Sequence, residues 1–276
     1  MKKFLLPILA VIVFLFMQAA AGIVIAVVGL AMHPEMIKSV KASGNMDEMM
    51  NSLGTDALSW AIVICGILTI VVIALLKMID WKRVLNLKMI DWTWGFIGIV
   101  AAFFGIYASN IMEEMLNLPN LMEDTFLDMS NSVAGVLSVG VLGPIIEEFI
   151  FREGVEGYML RNGVNKWVAI FGSALAFGII HLNPAQVPFA AVMGIILGII
   201  YYKSGNIVLT SILHILNNSI AVWEMYSMGE ELKDFSMVEW MGGTGISIAV
   251  MAVCIFICVF LLMRFWKKYQ KQSIQL

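Results

Sequence analysis

Eight apolar runs, separated by short polar segments, divide this sequence. Most of them are about 16 to 20 residues long, close to the length of helix that crosses a lipid bilayer. Hydrophobic residues make up 61% of the 276 residues and charged residues 13%, whereas a soluble domain is about half apolar and a quarter charged. The pattern predicts an all-α, polytopic membrane bundle of about eight transmembrane helices, at approximately 4–31, 57–76, 95–111, 131–161, 167–182, 187–202, 207–223 and 245–263.

The first apolar run follows Lys2 and Lys3 and resembles a secretory signal peptide, with a possible cleavage site at residues 19–21. The apolar part of a signal peptide is only about 7–15 residues long, and this run is longer. The length therefore favours an uncleaved first helix over a cleaved signal.

Lysines and arginines concentrate in alternate polar segments, at the N-terminus, at 77–88, at 152–166, at 203 and after residue 263. Because short cytoplasmic loops are enriched in these residues, we expect an integral, multi-pass protein of a bacterial-type plasma membrane with both termini cytoplasmic. The net charge of −3 gives no indication of nucleic-acid binding.

We expect one structural domain built from three segments. Residues 1–130 would supply about three transmembrane helices, 131–225 the core helices, and 226–276 an acidic connector, the last helix and a basic tail. The three cysteines lie in apolar runs and form no CxxC pair, so neither a disulfide framework nor a thiolate metal site is predicted.

A short repeat, Lys-Met-Ile-Asp-Trp, occurs at 77–81 and again at 88–92. The offset between the copies is about three helical turns, so the repeat could place Trp81 and Trp92 on one face of an interfacial helix. A chance duplication within a connector is an equal alternative.

Glycine and proline mark two of the predicted spans. Gly143-Pro144 predicts a kink or a restart of the fourth helix, because proline suits a first helical turn. Gly194 and Gly198 have the GxxxG spacing that allows close helix packing in the sixth.

Two adjacent carboxylates, Glu147 and Glu148, and Arg152 lie within the fourth apolar run. Ionisable residues inside a membrane span are energetically costly, and they usually mark a functional site. In a helix, Glu148 and Arg152 would form an ion pair on one face, while Glu147 points about 100° away. One carboxylate would then be neutralised and the other left free. Alternatively, the charges simply mark the end of a span.

Polar residues also interrupt two later runs, with His181 near the end of the fifth and His214 and Asn218 one turn apart in the seventh. Each taken singly could hydrogen-bond to a neighbouring helix. Together with Glu147, they provide a base, a water ligand and oxyanion donors, which are the components of a hydrolytic site. His33 lies at the edge of a run and is interpreted as a loop residue.

Three motifs, in order along successive predicted helices, resemble those of one known family: Glu147-Glu148-x-x-x-Arg152, Phe177-x-x-x-His181 and His214-x-x-x-Asn218. They are similar to the motifs of the CAAX-processing and bacteriocin-processing (CPBP, or Abi) intramembrane proteases, a family that includes the prenyl-protein endoproteases. The resemblance covers approximately residues 140–222. It implies hydrolysis of peptide bonds in a membrane-embedded or membrane-associated peptide or protein.

The side-chain chemistry, taken with this resemblance, suggests a role for each residue. We expect Glu147 to be the general base and His181 to orient the attacking water. His214 and Asn218 are expected to donate hydrogen bonds to the oxyanion. The expected supporting residues are Glu148 and Arg152, as an ion pair, and Phe177, as a packing residue.

The sequence leaves alternatives open for the cofactor and for the class of function. A His₂Glu set for zinc could come from Glu147, His181 and His214, and the family is often called metalloprotease. However, no HExxH motif is present, and the prenyl-protease branch resembles metal-free enzymes. The alternative functions are a non-catalytic membrane scaffold or bacteriocin-immunity protein, and a proton-coupled transporter. No inverted repeat supports the transporter.

Counting residues from the polar turns predicts the depth of the site. Glu147 and His181 lie about 22 Å from the turn at 162–165, Asn218 lies at nearly the same level, and His214 is one turn shallower. The charge pattern then predicts a site open to the outer side, whereas the resemblance to prenyl proteases implies cytosolic access. Both alternatives stay open.

Overall fold

The structure is a computed structural model that describes residues 2–32 and 54–269. In these two ranges the regular structure is entirely helical, which confirms the predicted all-α membrane bundle. The α-helices are α1 (Lys2–Met32), α2 (Thr55–Leu75), α3 (Trp92–Leu116), α4 (Glu123–Ser130), α5 (Val133–Arg161), α6 (Lys166–Ile179), α7 (Gln186–Ser204), α8 (Ile207–Met228), α9 (Glu231–Asp234), α10 (Met237–Trp240) and α11 (Thr244–Lys268). His33 lies outside the described residues.

Within the described ranges, seven helices are long and apolar enough to cross a membrane: α1, α2, α3, α5, α7, α8 and α11. Helix α6 has 14 residues and is therefore about 21 Å long, less than the roughly 30 Å of a bilayer core. It ends at Ile179 because Leu182 takes a left-handed conformation with φ 52° and Pro184 follows. The expectation of about eight helices is confirmed, with α6 as the short one.

Helix α5 lies at the centre of the bundle and contacts α1, α2, α6, α7 and α8. One buried apolar cluster surrounds it, and its larger members are Phe14, Ile73, Ile150, Phe151 and Phe177. A second apolar cluster lies between α3, α7, α8 and α11, with Leu197, Leu213 and Phe265 among its members. The polar residues of α5 are thus enclosed by helices on several sides.

The path of α5 is not a regular α-helix. Its backbone widens into π-helical turns at Ser138–Leu142 and again at Glu148–Gly157. Pro144, which follows the first widened stretch, lacks the N–H needed for an α-helical bond. The helix nevertheless continues past Gly143-Pro144 without restarting. Gly143 suits this path because a Cβ there would lie 2.6 Å from the carbonyl oxygen of Ser138.

The GxxxG pair of α7 makes the close contacts that its spacing predicts. A Cβ on Gly194 would lie 2.9 Å from the Cα of Ala174 in α6, which is closer than real side chains approach. A Cβ on Gly198 would lie 2.8 Å from Oε2 of Glu156 in α5. The two glycines therefore allow α7 to approach both neighbours.

Of the two alternatives for the Lys-Met-Ile-Asp-Trp repeat, the structure does not show the interfacial helix. Residues 76–91 form turns, with one 3₁₀ turn at Leu87–Met89. The left-handed Lys77, with φ 58°, ends helical structure after α2. The Nδ2 of Asn206 then donates to the carbonyls of Arg83 and Asn86, both at 3.1 Å, and ties the segment to the start of α8. The connector alternative is the one observed.

The acidic connectors contain three short helices that the sequence did not predict: α4, α9 and α10. Lys233 pairs with Asp124 at 2.7 Å and with Glu230 at 2.6 Å, which joins the two connectors. The carboxylate of Glu114, near the end of α3, accepts a bond of 2.5 Å from the Ser236 hydroxyl. These contacts close one end of the bundle.

Candidate active site

A fully buried ion pair lies on α5, one residue after Glu147. The Nε of Arg152 donates to Oε2 of Glu148 at 3.1 Å, and neither side chain is exposed. The Nη1 of Arg152 also donates to the Ser173 hydroxyl of α6 at 3.3 Å, and that hydroxyl donates to the Phe151 carbonyl at 2.9 Å. The spacing of four residues predicted this ion pair, and the hydrogen bond to Ser173 connects the pair to α6.

His214 of α8 lies between the two adjacent carboxylates. Its Nδ1 is 3.2 Å from Oε1 of Glu148, and its Nε2 is 3.6 Å from Oε2 of Glu147. Because the Glu148 carboxylate also accepts from Arg152, it can only be an acceptor here, so Nδ1 carries a proton. The Nε2 atom is therefore the one that faces Glu147.

Glu147 differs from its neighbour in exposure and in bonding. Its side chain is 20% exposed, whereas that of Glu148 is fully buried. Both oxygens of Glu148 have hydrogen-bond partners, but the contact of Glu147 with His214 is longer than a hydrogen bond. The reachable carboxylate with free acceptor capacity is thus Glu147.

His181 lies just beyond the end of α6, in a turn that is tied to the rest of the chain. Its Nδ1 donates to the Phe177 carbonyl at 2.8 Å, since a carbonyl oxygen can only accept. This leaves the Nε2 of a neutral imidazole as an acceptor. Asn183 holds the turn, because its Oδ1 accepts from the Leu121 amide at 3.0 Å and its Nδ2 donates to Asn120 at 2.7 Å.

The buried ring of Phe177 joins these groups. Its centroid is 5.1 Å from that of His181 and 5.6 Å from that of His214, and both contacts are edge-to-face. The guanidinium of Arg152 lies 5.2 Å from the same centroid. Phe177 therefore sets the orientation of both imidazoles and also contacts the arginine of the buried pair.

Asn218 lies one turn beyond His214 and is bonded to the backbone of α5. Its Nδ2 donates to the Val139 carbonyl at 3.1 Å, and the Ser219 hydroxyl donates to the next carbonyl, that of Gly140, at 3.2 Å. Both carbonyls belong to the first π-helical stretch. Asn218 thereby attaches α8 to α5 and keeps one amide hydrogen free of this bond.

The predicted levels of the seventh-span residues need correction. The structure places His214 beside Glu147, whereas Asn218 contacts a residue eight positions before Glu147. The residue count assumed α-helical rise, but the Glu148–Gly157 stretch is π-helical and has more residues per turn. The count therefore overestimated the depth of Glu147 and matched it to Asn218 rather than to His214.

The zinc set considered from sequence does not fit the geometry. In residues 2–32 and 54–269, no three His, Cys, Asp or Glu side chains form a group that could hold a metal ion. A zinc site there would need all three donors on one ion, and the side chains of Glu147, His181 and His214 do not have the spacing of such a His₂Glu set.

Sequence reasoning missed Glu156, which extends the charged stripe of α5. Its Oε2 lies 3.8 Å from Nη1 of Arg152, and both side chains are fully buried. Neither oxygen of Glu156 has a hydrogen-bond partner in the described part of the chain. The repeated spacing of four from Glu148 to Arg152 to Glu156 was a readable signal for this residue.

A second buried cluster lies on the same helix and is called the structural cluster below. Glu153 accepts from the Tyr201 hydroxyl at 2.5 Å and from the Asp80 amide at 2.9 Å. Arg161 pairs with Glu153 at 2.5 Å and donates to the Met78 carbonyl at 2.5 Å. These bonds fix the 76–91 segment against α5 and α7.

The part of the chain that contains the candidate active site also matches a known protein family. Residues 129–220 match the family model described as Type II CAAX prenyl endopeptidase Rce1-like. The predicted resemblance to CPBP proteases is confirmed, and the matched region contains all three sequence motifs. At the family level it supports a CAAX-protease-like intramembrane endopeptidase. No curated protein and no solved structure matches this chain.

Proposed function

We propose that this protein is an intramembrane endopeptidase that hydrolyses peptide bonds with water activated by Glu147. One observation carries the proposal: a reachable carboxylate faces the Nε2 of His214, while the neighbouring, buried carboxylate holds Nδ1 of the same ring. A carboxylate that orients an imidazole from behind is a recurring device in hydrolases.

The reaction begins with a water held between Glu147 and the Nε2 of His181. Glu147 accepts a proton from this water as its oxygen attacks the scissile carbonyl carbon. The carbonyl oxygen becomes an oxyanion, which receives a hydrogen bond from the Nε2–H of a protonated His214. The free amide hydrogen of Asn218 is the second donor that we propose.

Collapse of the tetrahedral intermediate breaks the carbon–nitrogen bond. Glu147 returns its proton to the leaving amine, so the products are a carboxylic acid and an amine, and the site regains its starting charge. One donor to an oxyanion is worth about 3 kcal/mol. Glu148, Arg152 and Phe177 act indirectly, because they hold the ring of His214.

The substrate class follows from the setting and from the family. The seven apolar helices in residues 2–32 and 54–269 support a multi-pass membrane protein, so the substrate is a membrane-embedded or membrane-associated peptide. The family description makes a C-terminal, prenylated CAAX-type peptide the first candidate to test.

The test is peptide release from candidate substrates by purified protein in liposomes. Wild type is compared with Glu147→Gln and with the matched control Glu224→Gln, an exposed glutamate on α8. We expect cleavage by the wild type and the control, and a loss of at least about 10²-fold in Glu147→Gln. Product masses would identify the bond that is cut.

Two outcomes would overturn the proposal. Full activity of Glu147→Gln would remove Glu147 from the chemistry. If the Glu147→Gln variant instead restored the phenotype of a deletion strain, the non-catalytic scaffold would be the better reading.

A further inference from the structure

Three aromatic rings and two lysines meet at one end of the bundle, and we call this group the aromatic–lysine cluster. The ring of Trp266 in α11 stacks on Trp167 of α6 with centroids 5.5 Å apart, and on Tyr202 of α7 with centroids 5.3 Å apart. The ammonium of Lys166 lies 4.8 Å from the Trp266 centroid, and that of Lys203 lies 5.2 Å from it.

The two ammonium groups lack an acidic partner in the part of the chain that the structure describes. Neither forms an ion pair with a carboxylate there, although each lies over the same indole ring. Because both lie about 5 Å from one ring centroid, the two positive charges repel each other. Cation–π contact stabilises each ammonium but leaves their mutual repulsion uncompensated.

The position of the cluster matches the polar boundary of a bilayer. Lys166 starts α6, Lys203 lies in the last turn of α7, and Trp266 lies in the last turns of α11. Tryptophan and tyrosine concentrate at the level of lipid headgroups, and lysines extend toward that level. The N-terminus of α6 adds partial positive charge at the same place.

We propose that the aromatic–lysine cluster binds the phosphate headgroup of an anionic phospholipid from the surrounding leaflet. The phosphate lies between Lys166 and Lys203 and relieves their repulsion, while the acyl chains follow the apolar surface of the helices. Basic pockets between transmembrane helices are known to take such headgroups. The cluster lies apart from the candidate active site, so this inference does not depend on peptidase activity.

The test measures lipids that stay bound to the purified full-length protein by native mass spectrometry, with equal phosphatidylglycerol and phosphatidylcholine. Wild type should retain phosphatidylglycerol in excess. The double variant Lys166→Gln/Lys203→Gln should lose that preference by about 25-fold, since each lysine near an anionic surface contributes about a factor of five. Raising the salt concentration should weaken the wild-type preference.

Two controls separate charge from packing and position. Lys166→Arg/Lys203→Arg keeps both charges and should keep the preference. Lys267→Gln/Lys268→Gln removes two exposed lysines of the same helix end and should change it less than twofold.

Three results would overturn the proposal. They are equal retention of the two lipids by the wild type, an equal loss in both glutamine double variants, and displacement of the lipid by millimolar glycerol phosphate. The last result would assign the cluster to a free phosphate compound instead of a lipid.

Discussion

Two clusters of buried charge lie next to each other on α5, and they are bonded in different ways. In the structural cluster, both oxygens of Glu153 are engaged, by Tyr201 on one side and by Asp80 and Arg161 on the other. In the candidate site, Glu148 is equally engaged, but Glu147 has no contact within hydrogen-bond distance in the described chain. Both clusters use the same residue types on one helix.

The difference shows that a charged residue inside a membrane protein is not a catalytic residue by type alone. Glu153 has bonds that only a folded bundle can supply, so it stabilises the fold. Glu147 keeps acceptor capacity and partial exposure, which a reacting group requires. Substitutions in the structural cluster should therefore lower stability, and substitutions in the site should lower activity.

The largest effect is expected when the structural cluster loses its cation. Arg161→Met leaves Glu153 charged and buried without its partner, and should lower the free energy of unfolding by about 3 to 5 kcal/mol. The measurement is denaturant unfolding in detergent. Arg264→Met, which removes an exposed arginine of α11, is the control and should change it by less than about 0.5 kcal/mol. Equal free energies of unfolding for Arg161→Met and wild type would contradict the assignment of the structural cluster to fold stability.

A site residue should show the opposite behaviour. His181→Ala removes the proposed water ligand and should lower kcat by about 10²-fold, equivalent to about 2.7 kcal/mol. The lost bond to the Phe177 carbonyl should lower the free energy of unfolding by no more than about 1 kcal/mol. The matched control is Leu182→Ala, the exposed neighbour in the same turn. If His181→Ala lost stability in proportion to activity, the residue would belong to the structural class.

A smaller change should sharpen the same contrast. Tyr201→Phe removes the hydroxyl that donates to Glu153 and should cost about 1.5 to 3 kcal/mol of stability, because the acceptor is charged. Tyr202→Phe, at the adjacent position, serves as the control. Activity per folded molecule should stay within about twofold in both variants, and a selective loss of kcat in Tyr201→Phe would contradict the assignment.

The smallest effect is expected from chelators. Because the candidate zinc donors do not form a ligand group in the described residues, activity should change by less than about twofold after treatment with a chelator. Elemental analysis of the active protein accompanies the assay. Loss of activity restored by added zinc would show that the donors regroup around a metal.

Much of this arrangement could be read from the sequence, because the relevant signals are local. The spacing of Glu148 and Arg152 predicted their ion pair, and run lengths predicted the spans. The tertiary partners could not be read. Ser173, Tyr201 and Asn206 bond to groups distant in sequence, and no local pattern marks their partners.

One prediction failed, and one of two alternatives was not observed. The depth count failed because it assumed α-helical rise, whereas the backbone after Glu147 is π-helical. At the 77–92 repeat the helix was not observed, and Asn206 and Glu153 bind the backbone of this segment from other helices. Tertiary contacts there decided between alternatives that the local sequence left open.

The close approach of Gly198 to Glu156 has a consequence for how this sequence can change. A single added methyl at Gly198 would lie 2.8 Å from Oε2 of the buried Glu156, so the acid would have to rotate or shorten, or α7 would have to move outward. The two positions are therefore expected to vary as a couple among descendants of this chain, with a shorter residue at 156 accompanying any larger one at 198. An alanine at 198 tolerated alongside an unchanged glutamate would mean that the helices yield there more easily than their spacing suggests.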